Sequence, residues 1–331
     1  MADRARVSST TASVVLGGRA DEFRIAPETR DAVLEAARHL GYVRVPSSRR
    51  SRASTPPLWV ILTPSDFESG PIRQFFEGAS AFVRDNGLAV DCMVLPFERG
   101  RLSEKSQWIT PEFARGAIMV GLTDEDVAFI DEHSFDIPIA LYNRTARGCA
   151  SVVVDDYGAG RTVMQHFLER GLRQFAVVAP PHASRALSLR TVGFSDTLRQ
   201  SGGADSSAQV QQVFADVYDA AGFDAAIDAI SIDERTGIFV LNDQMVARVM
   251  EGLTRRGLTV PDDVEVVSYG DSPINTVVRP AVSSVRVPVD EMSLECARTL
   301  QQSVTNRDAM IGVIRSFETT LVVRASSPAT V

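Results

Sequence analysis

In the first 45 residues apolar side chains recur at helical spacing, whereas from Leu58 onward short continuous apolar runs alternate with amphipathic stretches. Ser8 stands where its hydroxyl can accept a hydrogen bond from an orphan amide of a following helix, and Gly17-Gly18 can end that helix. Between them Val14, Val15 and Leu16 supply an apolar side. A second helix is expected from Pro27-Glu28, since proline tolerates the first turn and acids favour the amino end. Ala32, Val33, Ala36, Ala37 and Leu40 keep helical spacing until Gly41 stops it. The pattern suits a helix-turn-helix DNA reader, with Ser9, Thr10, Thr11 and Ser13 short enough to lie against base edges. It equally suits an ordinary helical hairpin.

The next stretch, V-R-V-P-S-S-R-R-S-R-A-S-T-P-P, holds too little apolar surface to fold alone and reads as a linker over 46–57. Beyond it the rhythm is strand, helix, strand. Expected strands include L-W-V-I-L-T from Leu58, Ala89 to Leu95, Gly116 to Val120, Pro138 to Tyr142, Ser151 to Asp155, Q-F-A-V-V-A, G-I-F-V-L-N and V-E-V-V-S-Y. Helices are expected at Ile72 to Asn86, Asp124 to His133, the segment reaching Arg170, Arg190 to Ser201, and Asp243 to Arg256. Short connections between them predict parallel sheets with helices on both faces. The fold class is a small all-α headpiece followed by α/β, with two doubly wound parallel-sheet subdomains. A ligand would then bind at the carboxyl ends of their strands.

Charge alters this picture. The formal net charge of −8 looks wrong for a nucleic-acid partner, yet residues 1–54 carry ten Arg against six Asp and Glu, a balance of +4 that leaves −12 for the rest. A phosphate-attracting field is thus confined to one end. Cys92, Cys149 and Cys296 are scattered and lack metal-ligand spacing, and the histidines at 39, 133, 166 and 182 form no cluster. No run is long enough to span a membrane, and no secretory signal opens the chain, so the cytoplasm is the expected location. There is no G-x-S-x-G, phosphate loop or dinucleotide motif; neither an enzyme nor a cofactor is expected.

The phrase V-S-x-x-T-x-S-x-V-L, followed by I-x-P-E-T-R-x-x-V-L-E-A-A-x-x-L-G-Y, resembles the DNA-binding headpiece of LacI/GalR-type transcriptional regulators. Further along, L-R-T-V-G-F, F-V-L-N-D-Q-M, R-R-G-L-T-V-P-D-D-V-E-V-V-S-Y and E-T-T-L-V-V-R resemble the same family. The resemblance implies a periplasmic-binding-protein-like body whose chain crosses between subdomains near 155–160, 285–290 and 317–321. Expected boundaries are a headpiece at 1–45, the linker, and a body at 58–331. Within the body, 58–156 plus 288–317 form one subdomain and 157–287 plus 318–331 the other. Relatives begin with another helix that is short of complete here, so a start several residues upstream of Met1 is expected, with natural truncation as the alternative.

In that family Ser9, Thr10, Ser13 and Val14 would face the DNA groove, while Ser8 and Thr11 would hold phosphates. Relatives fold a hinge helix whose leucine wedges into the minor groove; no leucine stands between Tyr42 and Leu58. Either Arg49, Arg50 and Arg52 grip DNA instead, or the segment is a solvated tether. For a small-molecule effector, Arg190 matches an arginine that reaches ligands in relatives, and Asn242 a ligand-contacting position. Asp243 suits a helix cap. Asn143, Arg144 and Asp155 end strands, where either effector contact or structural hydrogen bonding fits them. Two departures stand out. Ser268-Tyr269-Gly270-Asp271 puts glycine where relatives carry an acid, leaving Asp271 to reach in from the next position. Ser69-Gly70-Pro71-Ile72 replaces an aromatic helix start, for which Asp66 and Phe67 are the substitutes.

The expectation is a homodimeric repressor binding double-stranded operator DNA under control of a sugar or related metabolite, with no membrane partner. The alternative is a small-molecule binding protein whose truncated headpiece no longer reads DNA.

Overall fold

The computed structural model describes residues 7–16, 20, 23, 25–39, 58–65, 69–181, 184–202 and 210–329. The chain separates into two compact units, Met1–Thr55 and Pro56–Val331.

In the first unit, α1 (Ser9–Leu16) and α2 (Pro27–His39) pack through Ala12, Val15, Ala20 and Val33, with Val7 and Ile25 against them. Ser8 Oγ accepts the Thr11 N–H at 3.0 Å, the capping bond expected of a serine at that position.

The second unit starts with β1 (Leu58–Pro64), α3 (Ser69–Asp85), β2 (Asp91–Phe97), β3 (Gly116–Val120), α4 (Asp124–Glu132), β4 (Ile139–Tyr142) and β5 (Ala150–Val154). Thr123 and Asp126 exchange bonds in a capping box that starts α4. Next come α5 (Asp156–Glu169), β6 (Gln174–Ala179), α6 (Arg185–Gln200), β7 (Val210–Phe214), α7 (Ala220–Asp228), β8 (Thr236–Val240), α8 (Val246–Arg255), β9 (Val264–Gly270), α9 (Ile274–Val277) and β10 (Ser283–Arg286). The chain closes with α10 (Val289–Thr305), β11 (Ile314–Phe317) and β12 (Thr320–Val322).

Two six-stranded sheets result, ordered β11-β5-β4-β3-β1-β2 and β12-β10-β9-β8-β6-β7. Every described pairing is parallel except β10 with β12. Continuous apolar strands are what burial on both faces demands. Trp59 and Ile61 enter the cluster under α3 and α10, while Val60 and Leu62 join Leu102, Ile109 and Ile130 on the opposite face. In the second sheet Phe239 packs with Phe167, Phe175 and Phe194, whereas its neighbours Ile238 and Val240 pack with Val249 and Leu253.

The chain passes between the sheets three times: from β5 into α5 and β6, from β10 into α10, and from β11 into β12. α10 returns to the first sheet and packs on α3 and on β3 to β5. The strands β7, β10, β11 and β12, and helices α7, α9 and α10, were not anticipated from the pattern. β7 is an edge strand with Phe214 exposed, and β11 leaves Ile314 to Ser316 exposed, so neither shows a buried apolar run. Helix α6 starts at Arg185, earlier than the expected Arg190.

Candidate functional site

Two glycines let α5 and α6 touch backbone to backbone. A Cβ on Gly160 would lie 2.0 Å from the Arg190 carbonyl oxygen, and one on Gly193 would lie 2.0 Å from that of Tyr157. No larger residue fits either position without separating the helices. This contact sets Arg190, in the second turn of α6, against Asp156, the first residue of α5.

Around Asp156 the carboxyl ends of strands from both sheets converge. Arg190 Nε donates to Asp156 Oδ1 at 2.8 Å, and the Tyr269 hydroxyl donates to the same oxygen at 2.9 Å. Asn143 Nδ2, just past β4, donates to Oδ2 at 3.4 Å. The guanidinium of Arg190 also donates from Nη1 to the Leu241 carbonyl at 3.0 Å and stacks on Tyr269, its Cζ 3.3 Å from the ring centroid. Asp156 and Arg190 are both buried. Burial opposes the charge on Arg190, but Tyr269 and Asp156 outweigh it and raise its pKa. Burial pushes the phenols of Tyr269 and Tyr142 above their ordinary range. Tyr142 meets Phe75 edge-on at 5.0 Å between centroids.

The neighbouring strand ends add polar groups. Asn143 takes a left-handed backbone (φ 52°), which asparagine tolerates, and its Oδ1 accepts the Val154 N–H at 3.1 Å. Asp155 Oδ1 caps α5 through the Gly158 N–H at 2.7 Å. Asn242 Oδ1 accepts the Gln244 N–H at 3.0 Å and caps the short 3-10 turn Asp243–Met245, so the cap expected of Asp243 comes from its neighbour. Asp243 Oδ2 instead accepts the Ser272 N–H at 2.9 Å. Gly270 has φ 133°, and a Cβ there would lie 2.5 Å from Asp243 Oδ2. Glycine is therefore required, and the carboxylate absent from position 270 is met in space by that of Asp243. At the end of β1, Thr63 Oγ1 is buried with no hydrogen-bond partner among the described residues.

Two effector candidates are engaged elsewhere. The carboxylate of Asp271 accepts from Ser284 Oγ at 2.5 Å, Arg324 Nη2 at 2.6 Å and Arg286 Nε at 2.7 Å. Burial would raise its pKa, but these three donors outweigh it and hold it below the ordinary carboxylate range. Asp271 thus fastens β9 to β10 and the C-terminal segment rather than reaching past Gly270. Arg144 donates from Nε to the Leu122 carbonyl at 2.9 Å and from Nη1 to Asp124 at 2.8 Å, which fixes the start of α4. Asp66 and Phe67 lie outside the described residues. Among sequence candidates, Asn143 and Arg190 meet directly on Asp156, with Asp155 and Asn242 on adjoining residues. Asp156 and Tyr269 were missed as site residues. The doubled Asp155-Asp156 at a strand-to-helix junction was the available signal for the former.

Residues 164–327 match the family model of the periplasmic binding protein-like domain. The HTH-type transcriptional regulator GntR of Pseudomonas aeruginosa is 25% identical over 311 residues, spanning 93% of this chain and 89% of that protein. The LacI family transcription regulator of Clostridium acetobutylicum superposes with a TM-score of 0.70 at 21% identity, covering 81% of this chain and 99% of the other. The regulator CelR, in complex with cellobiose, superposes with a TM-score of 0.69 at 24% identity and covers 98% of each chain. Along nearly its whole length the chain is similar to LacI-family transcriptional regulators.

The candidate DNA-contacting residues of the first unit lie on α1 and at its start. Thr11 is half-buried, and its Oγ1 lies 2.8 Å from Ser8 Oγ, so the two proposed phosphate holders are joined to each other. Val14 corrects the expectation. It is buried, as an apolar side chain gains by leaving water, while Val15 is the valine that packs in the cluster with Val33. Ser9, Thr10 and Ser13 lie on α1 with side chains outside those described, as do Arg49, Arg50 and Arg52 entirely. No described helix of the chain is long and apolar enough to cross a membrane.

Proposed function

We propose that the protein is a cytoplasmic, dimeric repressor that binds operator DNA through its headpiece and is released or retained by a neutral polyhydroxyl effector seated at the Asp156 cluster. The observation that carries this reading is the convergence of Arg190, Tyr269 and Asn143 on Asp156, since these groups come from both sheets and meet at the first crossover. A ligand touching them biases the angle between the sheets, and an effector controls DNA only through its differential affinity for two such arrangements. Regulators of this type work on DNA rather than on covalent bonds, and no residue of the cluster is arranged as a nucleophile.

Charge selects the ligand class. Of the three carboxylates at these strand ends, Asp156 pairs with the guanidinium of Arg190, while Asp155 and Asp243 accept backbone N–H groups and have no described cation partner. An anionic sugar acid would face a net negative site, whereas hydroxyl groups can donate to carboxylate oxygens. The cellobiose bound by CelR belongs to the favoured class.

For dimerisation, α7, α8 and α9 lie side by side on the second sheet, α8 tied to α7 by Arg255 on Asp224 and Asp228. Tyr218, before α7, and Val277, at the end of α9, stand 89% and 66% exposed, and we assign Val277 to a twofold contact. Val277→Asp should convert the dimer to monomer in sedimentation and weaken binding to a two-half-site operator. DNA binding measured across salt concentration tests the whole reading. Affinity for a discrete site must fall steeply as salt rises and change when the sugar is added. Absence of any discrete site would leave a binding protein without a DNA role.

A further inference from the structure

At the amino ends of β4 and β5, away from the Asp156 cluster, lies a cavity of about 370 Å³. Strands of four and five residues separate it from the cluster by roughly 15 Å. Its floor is apolar: Ile130, Ile137, Cys149 and Met310 are buried. Burial pushes the Cys149 thiol up to about 12, so the sulfur stays protonated and adds to the apolar surface. The volume falls at the lower end of the range of small-molecule sites.

The rim is cationic. Arg147 and Arg307 stand on different walls, one in the turn before β5 and one just beyond α10. Among the described residues neither guanidinium has a carboxylate partner; Arg307 donates from Nη2 to the Phe135 carbonyl. The one carboxylate at the rim, Asp131, accepts the backbone N–H of Arg147 at 2.5 Å. Two arginines against one aspartate leave a positive rim over an apolar floor, in a body whose overall charge is strongly negative. An unpaired, planar guanidinium fork matches a carboxylate, and the floor matches a ring or short chain.

We propose that this cavity is a second ligand site, distinct from the effector cluster, for a small carboxylate with an apolar body. Its lining bears on all three crossovers, because β5 leads into the first, α10 follows the second and Met310 precedes β11, which leads into the third. A ligand there can therefore bias the same movement from the opposite end of the sheet.

The test uses the full chain and benzoate as the probe, with inorganic phosphate and benzyl alcohol as comparators, followed by titration calorimetry. Saturable benzoate binding is expected, with phosphate and benzyl alcohol each at least roughly tenfold weaker. The double variant Arg147→Ala/Arg307→Ala should lose benzoate affinity by about tenfold or more while keeping its melting temperature, since both side chains are exposed. A saturating neutral sugar must not compete with benzoate at this site. The proposal is overturned if benzoate does not saturate, if phosphate binds as well, if the double variant binds as tightly, or if the sugar displaces benzoate. Should the double variant melt early, Arg307→Gln alone, with its smaller change, must still weaken benzoate.

Discussion

Two buried carboxylates with arginine partners serve different ends in this protein. Asp156 sits at the carboxyl ends of the strands, shared by Arg190, Tyr269 and Asn143 from both sheets. Glu265 sits near the amino end of β9, fully buried, paired with Arg170 at 2.6 Å and with Arg235. Ser327 Oγ donates to Glu265 at 2.5 Å and lies 2.8 Å from His166 Nε2, which fastens the C-terminal segment to α5 and β9. The chemistry is nearly the same, and position along the strand decides the role. At the carboxyl ends, side chains from both halves of the body meet beside a crossover, where the proposed ligand would sit; at the amino end of β9 the chain's own tail completes the cluster.

The comparison breaks most sharply at Glu265. Glu265→Ala strands the Arg170 charge, whose side chain is only 10% exposed. A loss of about 3–5 kcal/mol is expected in denaturant unfolding, with sugar affinity of the folded fraction unchanged. A loss under about 1 kcal/mol would show the pair to be well solvated. Gly270→Asp comes next. It restores the acid that relatives carry but meets Asp243 with an unfavourable backbone, so a loss of about 1–3 kcal/mol and weaker sugar binding are expected. Improved sugar binding would contradict the substitution of Asp243 for that acid. Asp156→Asn keeps the shape and removes the charge. Unfolding should change by about 1–2 kcal/mol, less than for Glu265→Ala, while neutral-sugar binding and its effect on DNA affinity are lost.

The smallest effect is a pH dependence. Burial lowers the His166 pKa below its ordinary value, despite the opposing Ser327 contact. The fold holds this imidazole neutral, so its contribution is complete above about pH 6.5 and is lost as pH falls through the lowered value. Asp271 acts in the same direction at more acid pH, its contribution complete above about pH 3.9 and lost on descent through its depressed value. His166→Gln should remove the upper step of the acid unfolding profile and leave the lower one. An unchanged profile would place the upper step elsewhere.

Strands buried on both faces were legible because they read as unbroken apolar runs, as in Leu58 to Thr63. Edge strands such as β7 and β11 were not, since half their side chains meet solvent and no period separates them from loop. Arg190 was legible as a site residue, but its pairing with Asp156 was not. The two lie 34 positions apart and meet only because Gly160 and Gly193 bring the helices into contact. Asp271 misled for a related reason. Its carboxylate is claimed by Arg286 and Arg324, whose proximity depends on β10 and β12 pairing antiparallel across a crossover.

Titration of the full chain with cellobiose, ribose, gluconate and galacturonate, in wild type and Asp156→Asn, tests the Asp156 cluster most directly. At least one neutral sugar should bind the wild type more tightly than either acid, and Asp156→Asn should shift that preference toward the acids. Tighter binding of a sugar acid to the wild type would contradict the role assigned to Asp156.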